Sequence, residues 1–216
     1  MTTTIRSVLV IGANGPTGIE CCRQAACAGL QVRALVRNPA RLPPETLPGI
    51  EVVQGDVLDV ASLRSATRGM DAVLSALGTP LQRTPVTLLS QGTRNLVQAM
   101  AESGTERLLC ITGMGAGSSR GHGGFLYDRI ILPWLLREIY RDKDRQEHVV
   151  HTSGLDWTLI RPAWLTDGRL TGRYRCLTEL APGDRLGRIA RADVAHFIVG
   201  ELARREHSGG TVHLSY

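Results

Sequence analysis

The chain has 216 residues, 43% of them apolar, and 25 Lys+Arg against 20 Asp+Glu give a formal charge of +5. This composition excludes intrinsic disorder and suits one α/β domain over residues 1–216. No apolar run reaches the roughly 20 residues of a membrane span, and no basic leader precedes a long apolar stretch, so a cytoplasmic protein is expected.

The predicted elements alternate from end to end. Val8 to Ile11 reads as a buried strand, followed by a helix from about Thr17 to Ala28 that Gly29 closes. Gln31 to Val36 is the second strand. The segment from Asn38-Pro39 to Pro48-Gly49 holds four prolines, so any helix in it is short. Ile50 to Val53 is a third strand, Val60 to Thr67 a short helix, Asp71 to Ser75 a fourth strand, and Val86 to Glu102 a long helix. Arg107 to Ile111 is the fifth strand. Six glycines then crowd into Gly113 to Gly124, with Ser118, Ser119, Arg120 and His122. A loop of this kind at a parallel strand end reads as a lid. Helical pattern runs from about Phe125 to His151 with an interruption near Pro133. Trp157 to Ile160 is a sixth strand, Asp193 to Ala203 a last helix opened by an N-capping Asp, and Val212 to Leu214 closes the sheet. Repeated strand–helix units predict a Rossmann-type, doubly wound parallel sheet of order 3-2-1-4-5-6 with a short C-terminal strand.

Two function classes fall away on residue type and spacing. Every Lys/Arg position except Lys143 is arginine, the charges are scattered and few aromatics interleave them, so no nucleic-acid surface is expected. Cys21, Cys22, Cys27, Cys110 and Cys176 show no C-x-x-C spacing and are odd in number. They predict neither a disulfide framework nor a metal site, and read instead as small buried hydrophobes.

Gly12-Ala13-Asn14-Gly15-Pro16-Thr17-Gly18 follows the first strand and opens the first helix. One glycine permits the tight turn, Gly15 lets backbone approach a pyrophosphate, and Gly18 lets helix and strand pack closely. A dinucleotide cofactor is therefore expected. The second strand ends on Arg37 with Arg41 nearby, where an acidic residue would favour NAD. A guanidinium there suits a 2′-phosphate, so NADP is expected in preference to NAD.

The loop Gly12 to Gly18, Val36-Arg37-Asn38-Pro39, Gly55 to Asp59, Leu77-Gly78-Thr79, Gln91 to Val97 and Ser153 to Pro162 resemble the atypical short-chain dehydrogenase/reductases. Within them the chain is most similar to the NAD(P)H-binding group that holds NmrA-like proteins and the biliverdin-IXβ/flavin reductase. The resemblance implies that Asp56 meets the adenine amino group with Val57 beside it. It also implies that Ala76, Leu77 and Gly78 line the ribose–nicotinamide side. By the same resemblance Thr112 is expected at the end of strand five, and Pro162, Trp164 and Leu165 are expected to flank the nicotinamide.

Many short-chain dehydrogenases place a tyrosine acid four residues before a lysine. Here Lys143-x-x-x-Glu147 matches the lysine end, but Ile139 holds the tyrosine position and Tyr140 is one residue out of register. That shift rotates a helical side chain by roughly 100°, so Tyr140 is expected to point away from the hydride. Lys143, holding the nicotinamide ribose, and Thr112 are the expected catalytic residues. Gly113 replaces the serine that follows the strand-five threonine in the flavin reductase. The expected activity is NADPH-dependent reduction of a flavin-like, quinone-like or small carbonyl acceptor without a tyrosine acid. Tyr127, Trp134 and Trp164 are candidate walls, and His122 is a candidate donor from the lid. The alternative is a non-catalytic NADP(H) sensor resembling NmrA. The oligomeric state is not legible.

Overall fold

The computed structural model describes residues 4–42, 48–82 and 84–216, without the side chain of Arg41, so 43–47 of the proline-rich segment lie outside the described residues. The strands are β1 Ser7–Ile11, β2 Gln31–Val36, β3 Glu51–Gln54, β4 Ala72–Ser75, β5 Arg107–Ile111, β6 Asp156–Pro162, β7 Trp164–Thr166, β8 Arg175–Leu177, β9 Arg188–Ala190 and β10 Gly210–Ser215. The helices are α1 Pro16–Cys27, α2 Val60–Thr67, α3 Leu88–Ser103, α4 Arg137–His151 and α5 Arg191–Arg204.

The main sheet runs β3-β2-β1-β4-β5-β6-β10-β8. It is parallel from β3 to β10, and β8 closes it antiparallel to β10. This is the Rossmann-type α/β order expected. The edge is different: β10 is interior and β8, three residues long, covers it, while β7 and β9 pair in a small separate sheet. Strands so short carry too little periodicity to be read in sequence.

Both faces of the sheet are covered, which is why its central strands are apolar on successive residues rather than on alternate ones. Val8, Val10, Val32, Ala34, Leu74 and Ile160 face the layer of α1 and α5. Leu9, Leu35, Val73, Leu108 and Leu159 face the layer of α2, α3 and α4. Each of the valine, leucine and isoleucine side chains among them, fully buried, contributes about 1.5–3 kcal/mol.

Three local readings change. Helix α5 starts at Arg191 with Ala190 at its N-cap, so Asp193 is not the cap. Its buried carboxylate accepts from the backbone N–H of Thr171 and Gly172 and from the Thr171 and Tyr216 hydroxyls, satisfying a loop and the chain end instead. Residues Tyr127–Leu135 wind as a π-helix that contains Pro133 before α4 begins. Proline has no N–H to give, and the wider winding puts the Leu136 N–H on the Ile131 carbonyl at 3.1 Å. Finally, Cys21, Cys22 and Cys110 are buried as expected but Cys27 and Cys176 are exposed. Among the described residues, no helix is long and apolar enough to cross a membrane.

Candidate cofactor and acceptor site

The turn from β1 to α1 is made of main chain. Gly12 has φ +77°, and a Cβ there would sit 2.5 Å from the carbonyl oxygen of Ala76, the residue that follows β4. A Cβ on Gly18 would lie 2.2 Å from the Gly12 carbonyl oxygen, so only glycine lets α1 close on its own loop. Gly15 differs. Its N–H donates to the Gly12 carbonyl at 3.0 Å, and a Cβ there would approach nothing closer than that carbonyl oxygen at 3.3 Å. No side chain caps α1, so its first turn offers backbone N–H groups and the positive end of a dipole. A loop closed by two obligatory glycines beside an uncapped helix start fits a pyrophosphate.

A cleft of about 650 Å³ opens along the carboxyl ends of the strands, where β2 and β4 part on either side of β1. Gly12, Asn14, Gly15, Pro16, Thr17 and Gly18 form its floor. Arg37, Asp56 and Val57 stand towards one end; Ala76, Leu77, Gly78, Thr112, Lys143 and Leu165 complete the lining. Arg37 is exposed, and no carboxylate among the described residues pairs with it. One Asp56 oxygen accepts the Leu58 N–H at 2.9 Å, so this carboxylate shapes its own turn as well as the cleft.

Three expected residues are elsewhere. Ala13 is fully buried beneath the loop, because the turn that exposes its neighbours points its methyl into the core. Pro162 is buried in β6, and its carbonyl accepts the Met114 N–H at 2.9 Å. Trp164 is turned out of the cleft by strand alternation, Leu165 taking the inward place. Leu35, Gly55, Thr79, Pro80, Leu88, Ile111 and Arg191 line the cleft without having been expected. Arg191 opens α5 and is held by Asp167 at 2.5 Å, a placement with no local sequence signal.

At the far end, Lys143 is half-buried and its Nζ donates to the Thr112 carbonyl. Burial pushes its ammonium down to about 8, against the pull of the Glu147 carboxylate. The Thr112 hydroxyl donates to Glu147 Oε1 at 2.7 Å, which commits its proton away from the cleft. Glu147 in turn receives Arg161 through both oxygens, at 2.9 and 2.7 Å.

Tyr140 does not point away. A Cβ on Gly113 would lie 2.8 Å from Lys143 Nζ and 3.2 Å from the Tyr140 hydroxyl, so both side chains converge on the space that this glycine leaves. Residues three apart share a helix face, so Tyr140 lies on the side of α4 that carries Lys143; Lys143 Nζ stands 5.0 Å from the Tyr140 ring centroid. The proton is nevertheless engaged. The Tyr127 hydroxyl lies 2.9 Å from both the Met114 carbonyl and the Tyr140 hydroxyl. Having one hydrogen, it donates to the carbonyl and accepts from Tyr140. Burial raises the Tyr140 phenol well above its ordinary range.

A second groove of about 400 Å³ is lined by Met114, Phe125, Leu126, Tyr127, Ile131 and Trp164 together with Gly123, Gly124 and Gly187. Tyr127 and Trp164 are thus walls, but of this groove; Trp134 is 76% exposed and lines neither space. The glycine-rich loop between them is pinned rather than loose. The Gly117 N–H donates to Asp144 at 3.1 Å, Ser118 accepts from Arg161 at 2.9 Å, and the Gly121 N–H donates to Asp128 at 3.3 Å. His122 is tied through Nδ1 to the Asp184 carbonyl at 2.9 Å.

Comparison with known proteins follows the same lines. The family model described as NAD(P)H-binding matches residues 12–205. A (4-alkanoyl-5-oxo-2,5-dihydrofuran-3-yl)methyl phosphate reductase from Streptomyces griseus is 30% identical over 210 residues, covering 94% of this chain. The chain spans 65% of that relative's length. A short-chain dehydrogenase/reductase from Veillonella parvula, solved in complex with NADP, superposes with a TM-score of 0.83 at 15% identity, over 99% of this chain and 95% of the other. An anaerobillin reductase, ChuY, from Escherichia coli O157:H7 gives 0.80 at 24% identity, over 97% and 96%. At such identities the two structures speak for the fold alone.

Proposed function

The chain belongs to the NAD(P)H-binding family, and we propose that it is an NADPH-dependent reductase of a flat, largely apolar acceptor, either flavin-like, quinone-like or a small carbonyl compound. The observation that carries this reading is the cleft itself, which sets a phosphate cradle at Gly12–Gly18 in one space with Lys143 and Leu165, while Trp164, the neighbour of Leu165 on β7, lines a separate aromatic groove. The name of the Streptomyces griseus relative, a reductase, agrees with it.

In this reading the main-chain N–H groups that open α1 hold the pyrophosphate, and Arg37 pairs with the 2′-phosphate that distinguishes NADPH. Asp56 and Val57 border the adenine. Lys143 directs its remaining N–H groups at the nicotinamide ribose while the Thr112 carbonyl fixes its position. The bound nicotinamide supplies the hydride. The groove of Tyr127, Phe125 and Trp164 stacks the acceptor and keeps water from its face. The Tyr140 O–H is engaged in its hydrogen bond to Tyr127, so the proton of the reduced acceptor comes from solvent or from the Lys143 ammonium rather than from a tyrosine. Acceptors that delocalise charge tolerate this arrangement; an isolated carbonyl suits it least.

Stopped-flow mixing of the NADPH-loaded protein with free flavin and with simple quinones tests the reading. Acceptor-dependent loss of the NADPH absorbance is the expected result. Tight NADPH binding with no turnover on any acceptor class overturns it in favour of a cofactor sensor.

A further inference from the structure

We propose that Glu147 and Arg161 are positioning residues that set the place and charge of Lys143; this rests on the reductase reading above. Neither touches the cleft, yet both are almost wholly buried, with side chains 4% and 5% exposed. A buried ion pair is a poor stabiliser in itself, because desolvation offsets most of its attraction. This pair is, however, fully connected on the side of the site. Glu147 Oε1 takes both Arg161 Nε and the Thr112 hydroxyl, and the carbonyl of that same Thr112 accepts Lys143. The residue that fixes the lysine is therefore itself fixed by the carboxylate.

The other side of the pair is held by the glycine-rich loop. Arg161 Nη1 donates to Ser118 at 2.9 Å, and a Cβ on Gly117 would lie 2.2 Å from Nη2, so the loop closes over the guanidinium only because residue 117 is glycine. The guanidinium cannot swing away without moving that loop.

The groups that face Lys143 are few. Glu147 and the Tyr140 ring come from its own helix, and Cys110 comes from β5, its thiol pushed up to about 12 by burial. Behind the carboxylate stand Arg161 on β6 and His213 on β10, the latter pushed down to about 4 by burial and by Arg161. Glu147 is thus the nearby anion that favours a charged lysine, and Arg161 moderates it. The two substitutions should act on Lys143 with opposite signs.

Lys143 is the chain's only lysine, so protein labelled with 13C-lysine gives one side-chain signal whose pH titration reads this group without any turnover. Glu147→Gln should lower the titration midpoint by about one unit or more, and Arg161→Gln should raise it. A variant that has merely unfolded would instead move to the ordinary lysine value of 10.5. Unmoved midpoints, or shifts of the same sign in both folded variants, overturn the proposal.

Where a single variant does not fold because a buried charge is left unpaired, Glu147→Gln/Arg161→Gln removes both charges together. That double variant should bind NADPH and lose about tenfold or more in kcat, because Thr112 and Lys143 are no longer held. Wild-type kcat in it would make the pair a purely structural feature. Since the titration needs no acceptor, a wild type without reductase activity would overturn the function and leave the positioning result to stand or fall separately.

Discussion

From Gly12 to Gly18 the cleft wall is a single short loop, six of whose seven residues line the space, and it is shaped by what glycine lacks. From Thr112 to Leu165 the wall is side chains from β5, α4 and β7, braced by Glu147 and Arg161 behind them. The first end is built by local geometry and a helix dipole, and tolerates change poorly at a few known positions. The second is built by hydrogen bonds between residues 14 to 43 apart in sequence, and change anywhere in the network reaches the lysine. An anion needs only aligned N–H groups, whereas placing an acceptor over a nicotinamide needs a shaped and braced surface.

The largest effect should come from the main-chain end. Gly15→Val should abolish dinucleotide binding and leave the fold intact, since a Cβ there meets no core atom and its branches project into the cleft. Calorimetry that finds wild-type affinity in a folded variant would mean that the loop does not carry the phosphates. Next comes the side-chain end. Lys143→Arg keeps the charge but widens the head group, and a displacement near 1 Å can lower turnover about a hundredfold. Tyr140→Phe should do far less, because its hydroxyl is already committed to a hydrogen bond with Tyr127. Equal kcat for Lys143→Arg and wild type would erase the contrast between the two ends.

A smaller effect sharpens cofactor choice. Arg37→Glu removes one charge-assisted contact of about 1.5–3 kcal/mol, so NADPH affinity should fall about tenfold or more while NADH changes little. Parallel titration with both cofactors decides it. The smallest concerns stability and acid. His213 titrates near 4 in the folded chain against 6.5 when free, so the unfolded state binds the extra proton first. The stability this group contributes is present above about 6.5 and is lost as pH falls towards 4. The urea midpoint of wild type should therefore fall relative to that of His213→Gln as the buffer is acidified across that window, and parallel curves would remove His213 from the linkage.

How far each end was legible follows from how it is made. The glycine loop (Ala13 apart), Arg37, Asp56, Val57, Ala76 to Gly78, Thr112, Lys143 and Leu165 all face the cleft as read from the sequence. Most of these sit at strand ends, and alternation along a strand or a glycine turn gives direction as well as position. Trp164 and Pro162 were misplaced by the same token, since one residue of slip on a strand reverses the face. Tyr140 was misdirected because a rotation angle on a helix says nothing of the vacancy that Gly113 leaves opposite it. Arg191 and the aromatic groove carry no spacing signal, for they are gathered from β7, α5 and the 123–131 segment.

The order of the central strands, the phosphate loop and the NAD(P)H-binding family were determined by the sequence itself, because periodic burial and glycine conformation act over a few residues. Tertiary structure alone decided that β8 caps the sheet and that Asp193 ties a loop instead of capping α5. It alone decided that the Tyr140 hydroxyl hydrogen-bonds to Tyr127, and that Glu147 and Arg161 stand behind the lysine. The physical reason is reach: hydrogen bonds and ion pairs join whatever packing brings within about 3 Å, and that proximity is a property of the folded chain, not of any segment of it.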